Sequence, residues 1–184
     1  AYQCADRSVA GKPGLRPEGD ITLPENQAEL HDAIHSRSLF QVHLAPSVFT
    51  WQSLVNKSYS RTRDLPQGDG TSPEAVLENQ AMSIAVWLLH ACALRGIFVT
   101  FVHPVDSFVW ELPVLRLLAK AKDFFSFDVD QCAWVQRPDN WEPCQGDVRI
   151  FASLRLLTNN PYMRTLEKRC IDVVKHSHSA APRA

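Results

Sequence analysis

The stretch GIFVTFVHP, residues Gly96 to Pro104, decides how this chain is built. Ile97 to Val102 is an almost unbroken run of β-branched and aromatic residues. A strand with one wet face alternates apolar and polar side chains, so a run without alternation predicts a central strand covered on both faces. Pro104 offers no N–H and ends it. Just upstream, Ser72-Pro73-Glu74 predicts the start of a long helix, roughly 73–95, closed by Arg95-Gly96. The second half of that helix is apolar nearly all round, so it is expected to pack between layers.

The pattern repeats on both sides. Leu39 to Leu44 alternates Phe40, Val42 and Leu44 against Gln41 and His43, which predicts a short strand. Before it, PENQAELHDAIHSR opens with Pro24 and Glu25 and places Leu30, Ala33 and Ile34 on one helical face. After Pro104, Ser107 can cap a helix over Phe108 to Ala121 that is interrupted or restarted at Pro113. Phe124 to Val129 and Val148 to Leu154 are further strand candidates, and Met163 to Val174 a last helix. Strands alternating with helices through short joints predict a three-layer α/β domain with a mostly parallel sheet. Residues 17–174 are expected to form that domain, with 1–16 a loop and 175–184 a flexible tail. Ligands of such sheets bind outside the carboxyl ends of the strands. Here those ends are Pro46-Ser47, His103-Pro104 and Val129-Asp130.

The totals restrict the function classes. A chain of 184 residues with 45% hydrophobic content supports one packed core. A net charge of −1 argues against a strongly basic nucleic-acid surface but leaves room for a local patch. Five Cys at irregular spacing, with no Cys-x-x-Cys, favour a reduced compartment, nuclear or cytoplasmic. The longest apolar stretch, Ala81 to Leu94, is too short for a membrane span. Cys170, His176 and His178 fit no standard zinc spacing, and no metal site is expected.

PEGDIT (Pro17 to Thr22), a helix, a strand ending in Pro46, a loop with Arg and Asp, a helix and another strand form an order of parts that resembles cytosine-C5 DNA methyltransferases. The similarity spans residues 17–115. It looks closer still to the diverged methyltransferase-like proteins abundant in dinoflagellate and other algal genomes, through Ser107, Trp110 and Pro113, through Asp130, Cys132 and Ala133, and through Leu156 to Asn159. The resemblance implies the S-adenosylmethionine-dependent, Rossmann-like methyltransferase fold, here N-terminally incomplete. It also implies an Asp at Asp20 that contacts the cofactor adenine, a Cys after Pro46 that attacks cytosine C6, and a Glu-Asn pair at the end of the next strand.

The residues present depart from that pattern. Ser47 stands where the Cys is expected, and a hydroxyl forms its anion far less readily than a thiol. Val102 and His103 stand where Glu-Asn is expected, and of the two only His103 can move a proton. GKPG (Gly11 to Gly14) is not the cofactor's glycine loop. The expected function is therefore a catalytically inactive, mobile-element-derived relative of these enzymes, without cofactor unless an S-adenosylmethionine pocket is retained. Residual nucleic-acid or protein binding falls to the polar loop over Asn56 to Pro73, where Lys57, Arg61 and Arg63 can meet phosphates and Tyr59 can stack on a base. The competing reading of that loop is a solvated segment whose charges pair locally. Two alternatives stay open: an enzyme of another kind with His103 as acid and base, and a methyltransferase with an altered nucleophile at Ser47.

Overall fold

The computed structural model describes residues 21–51, 59–130, 148–151, 153–169 and 177–180. Among these residues three helices and six strands follow in the order α1 Pro24–His35, β1 Gln41–Leu44, α2 Pro73–Leu94, β2 Phe98–Pro104, α3 Pro113–Leu118, β3 Phe125–Asp130, β4 Val148–Phe151, β5 Ser153–Thr158 and β6 Ser177–Ala180. Short 3-10 segments cover Phe108–Glu111 and Pro161–Leu166.

Local chemistry accounts for the boundaries. The Ser72 hydroxyl accepts from the Ala75 N–H and caps α2, and Pro73 occupies its first turn. Arg95 closes the helix and Gly96 takes a φ of +70°, a left-handed stop that favours glycine. The Ser107 hydroxyl accepts from the Val109 N–H, and the chain restarts as α3 at Pro113. The helix expected from Phe108 is thus two short pieces, because the Pro113 ring and missing N–H forbid a continuous one.

Four strands form one open sheet in the order β1-β2-β5-β3. β1 and β2 are parallel, with Leu44 opposite Phe101. β5 is antiparallel to β2 on one side and to β3 on the other. Strands β1, β2 and β3 therefore share a direction, and their carboxyl ends lie on one edge. This corrects the expectation of a mostly parallel sheet: the architecture is α/β, but the sheet is mixed, with one parallel pair. The physical reason lies in residues 148–158. The sequence suggests one strand from Val148 to Leu154, whereas Ser153–Thr158 enters the sheet and Val148–Phe151 pairs in parallel with Ser177–Ala180 in a separate two-stranded sheet. The expected flexible tail is in part that sixth strand. The expected helix from Met163 is instead the 3-10 segment Pro161–Leu166, followed by a single bridge from Lys168 to Val129.

β2 is central, as its composition demands, and Val99, Phe101 and His103 point to one face. Val99 and Phe101 join Leu44 and Leu157 in a core completed by Leu30 and Ile34 of α1, by Leu88, Leu89 and Cys92 of α2, and by Val109 and Leu115. On the opposite face the Thr100 and Thr158 hydroxyls hydrogen-bond each other at 2.9 Å and are fully buried. α2 does not pack on all sides: Trp87 is 43% exposed and Leu94 86%. Its buried residues Met82, Ala85, Leu88, Leu89 and Cys92 lie on one stripe that Ala75 continues two turns earlier, which makes it a one-faced helix despite its apolar composition.

Leu89→Ala is expected to cost about 2–5 kcal/mol in urea unfolding, and Leu94→Ala less than about 0.5 kcal/mol. Equal effects would contradict the packing of α2.

Candidate functional site

The shared carboxyl edge brings the candidate residues together. Pro46-Ser47 leaves β1 and His103 stands one residue before the end of β2. The His103 Nε2 faces the Ser47 carbonyl oxygen at 3.3 Å. A carbonyl only accepts, so Nε2 carries the proton and donates. The contact is with the Ser47 backbone and not with its hydroxyl, so the pair does not form a nucleophile and base.

The Ser47 hydroxyl turns the other way and donates to Glu78 Oε1 of α2 at 2.6 Å. The Glu78 carboxylate also accepts from the Thr50 N–H at 2.9 Å and, closely, from the Thr50 hydroxyl. One carboxylate thus ties three donors of the turn after β1 to the long helix. That turn is where the nucleophile of a methyltransferase is expected, and here its serine is held as a structural group.

The same turn is locked from the other side by Arg61. Its Nε and one terminal nitrogen donate to the Thr50 hydroxyl at 3.1 and 2.7 Å. The second terminal nitrogen reaches the Pro66 carbonyl at 2.7 Å and Asn79 Oδ1 at 2.9 Å, and the Ala75 carbonyl lies at 3.2 Å from the first. The guanidinium carbon sits 3.7 Å from the centre of the Trp51 ring, a cation–π stack. Arg61 is 1% exposed, and burial pulls its pKa down to about 10 against the opposing pull of the Glu78 carboxylate, so it stays charged at neutral pH. Gly68 lies against this loop so closely that a Cβ would stand 2.7 Å from the Tyr59 carbonyl oxygen.

Arg61 is therefore not free for phosphate, which corrects its place among the nucleic-acid candidates. The alternative of a solvated loop with local pairing does not describe it either, since its partners reach into α2. Arg63 is exposed. Tyr59 is half-buried, with its ring edge-on to Phe49 at 5.8 Å. Phe49 is 42% exposed and was not among the residues singled out by sequence. Its signal was its place two residues after Ser47, on the turn itself. Asp20 and Lys57 lie outside the described residues, as do Cys132 and Cys170.

His103 is 1% exposed, and among the described residues its Nδ1 has no partner. Burial lowers its pKa to about 4, with the Ser47 carbonyl pulling weakly the other way. Its ring stacks on Phe101, with centroids 6.1 Å apart.

At the third strand end, Asp130 is nearly buried and accepts from the Ser153 hydroxyl at 2.5 Å. Asp128 binds Arg155 at 2.8 Å and Arg169 at 3.1 Å, and Arg169 also reaches Asp130 at 3.5 Å. Sequence reasoning missed this lattice because Arg155 and Arg169 are remote in the chain; the Asp128–Asp130 alternation on one strand face was its only trace. A hollow of about 380 Å³ lined by Asp128, Arg155, Glu167 and Arg169 opens here. A second, of about 510 Å³, lies between α1 and α2 and is lined by Gln27, His31, Ile84 and Trp87. Neither is lined by Ser47 or His103.

Among the described residues no group of three His, Cys, Asp or Glu side chains forms a metal cage, and no helix is long and apolar enough to cross a membrane. Compared with protein-family models, with curated proteins and with solved structures, the chain matches none.

Two outcomes are expected. Arg61→Ala destabilises the fold by about 3 kcal/mol or more in chemical unfolding, since it strands the Thr50–Glu78 pair, whereas Arg63→Ala stays within about 0.5 kcal/mol. Stability also falls as pH drops. An unfolded histidine takes its proton near 6.5 and folded His103 resists until about 4, so the unfolded state binds more protons between those values. The His103 contribution is whole above about pH 6.5 and is lost by pH 4, a change of about 3 kcal/mol. His103→Phe should flatten that part of the pH profile of unfolding free energy, and an unchanged profile would rule His103 out as its source.

Proposed function

We propose that this chain is a catalytically inactive relative of the cytosine-C5 DNA methyltransferases that keeps a nucleic-acid contact surface at the carboxyl edge of its sheet. One observation carries the reading. The two strand ends that the resemblance equips with nucleophile and acid meet at 3.3 Å, yet the groups there are spent on structure. Ser47 donates to a carboxylate already engaged by Thr50, and the His103 ring is shut away from solvent. An enzyme built on His103 would need that ring exposed to its substrate.

The topology supports the kinship. β1 and β2 run parallel, and their carboxyl ends lead to the two positions the resemblance singles out, Ser47 and His103. A finer three-layer, Rossmann-like assignment rests on the same reasoning and on the order of parts in residues 17–115.

The contact surface consists of Phe49, on the turn after β1, and the half-buried Tyr59 whose ring it meets edge-on, with the exposed Arg63 four residues further along the chain. Aromatic faces stack on bases with little sequence preference, and one or two cations give a modest phosphate term, in keeping with the near-neutral charge.

The test has two arms. Titration of S-adenosylmethionine into the folded protein is expected to give no heat up to millimolar ligand; micromolar binding would overturn the inactive reading. Fluorescence anisotropy with a labelled single-stranded oligonucleotide is expected to show weak binding. Phe49→Ala with Tyr59→Ala should weaken it about tenfold or more, at about 1–3 kcal/mol per stacked base. Binding indifferent to both substitutions would remove this surface from the proposal.

A further inference from the structure

The exposed face of α1 carries two imidazoles one turn apart. His31 and His35 are both exposed, and their rings stack with centroids 3.9 Å apart. Residues four apart on a helix share a face, and two histidines so spaced can grip one metal ion once their rings turn out of the stack to bring a nitrogen of each to it. The buried residues of the helix, Leu30 and Ile34, are their immediate neighbours in sequence, so core packing fixes the helix and leaves both rings on its outer side.

The second observation concerns the ring nitrogens. His35 Nδ1 lies 3.0 Å from the His31 carbonyl oxygen. The carbonyl must accept, so Nδ1 bears the proton and Nε2 keeps its lone pair. His31 Nδ1 lies 3.6 Å from the Asp32 carboxylate, the side on which an acceptor for its N–H would stand. Metal-binding histidines show this arrangement: one nitrogen anchored on a carbonyl or carboxylate, the other presented to the ion. His35 is also the last residue of α1, where the helix dipole favours a cation.

We infer that His31 and His35 form a bidentate site for a divalent transition-metal ion of the imidazole-seeking kind, copper, nickel or zinc, with water completing the coordination. The site opens beside the hollow between α1 and α2, where the Trp87 ring lies nearly parallel to His31 at 6.3 Å between centroids. Copper bound at His31 therefore has an indole beside it whose fluorescence it quenches. Copper is expected to bind tightest and zinc more weakly, in the usual order for nitrogen ligands.

The experiment titrates cupric ion into the full chain and follows both heat and tryptophan emission. A saturable quench with 1:1 stoichiometry is expected. His35→Ala should weaken the ion's hold by about tenfold or more, since chelation falls to one ligand. His31 and His35 lie on an exposed face, so the fold should survive their substitution, as circular dichroism would verify. Trp87→Phe should remove most of the quench while leaving the heat, which separates this site from copper taken up by histidines and cysteines elsewhere. The inference is overturned if no saturable quench appears. It is equally overturned if the His31→Ala, His35→Ala double variant retains the quench at unchanged affinity.

Discussion

The joint between β1, the loop that follows it and α2 depends on one buried cation. The Arg61 guanidinium has left water and sits over the Trp51 ring, with its donors spent on Thr50, Pro66, Asn79 and Ala75. A buried charge is tolerable only when its hydrogen bonds are met and a counter-charge is near. Thr50 supplies the link: its hydroxyl accepts from Arg61 and donates to Glu78, so cation and anion are joined through one oxygen. Because Thr50 follows β1, Glu78 and Asn79 belong to α2, and Pro66 lies in the intervening loop, this single group pins strand, loop and helix to each other.

That constraint bears on chemistry as well as stability. A nucleophile must be free to attack, and a general base must reach the proton it removes. Ser47 and Thr50 instead serve as donors to Glu78, and the His103 donor is spent on a backbone carbonyl. The turn has become a joint. The turn also carries Phe49, whose exposed ring meets the half-buried Tyr59 edge-on.

The opposite charge lattice, around Asp128 and Asp130, performs a comparable task at β3. Arg155 comes from the antiparallel strand and Arg169 from the segment after it, so the lattice fastens β5 and the following chain to β3. Arg61 at one end and this lattice at the other add ionic ties to the apolar contacts of Leu44, Trp51 and Phe108.

Much of the fold was legible in the chain. Ile97 to Val102 declared a central strand, Ser72-Pro73 and Gly96 bounded α2, and Pro113 broke the following helix, because caps, prolines and apolar periodicity act over a few residues. The strand ends at Ser47, His103 and Asp130 were legible for the same reason. The direction of β5 was not, since Ser153–Thr158 reads the same whether it pairs parallel or antiparallel; pairing is decided by how the chain returns. Nor was the fate of Arg61. In sequence it is one of two arginines in a polar run, indistinguishable from Arg63, and only the placement of Thr50, Glu78 and Trp51 around it decides that one is buried and the other free. Local structure follows from neighbours in the chain, whereas burial and partnership follow from neighbours in space.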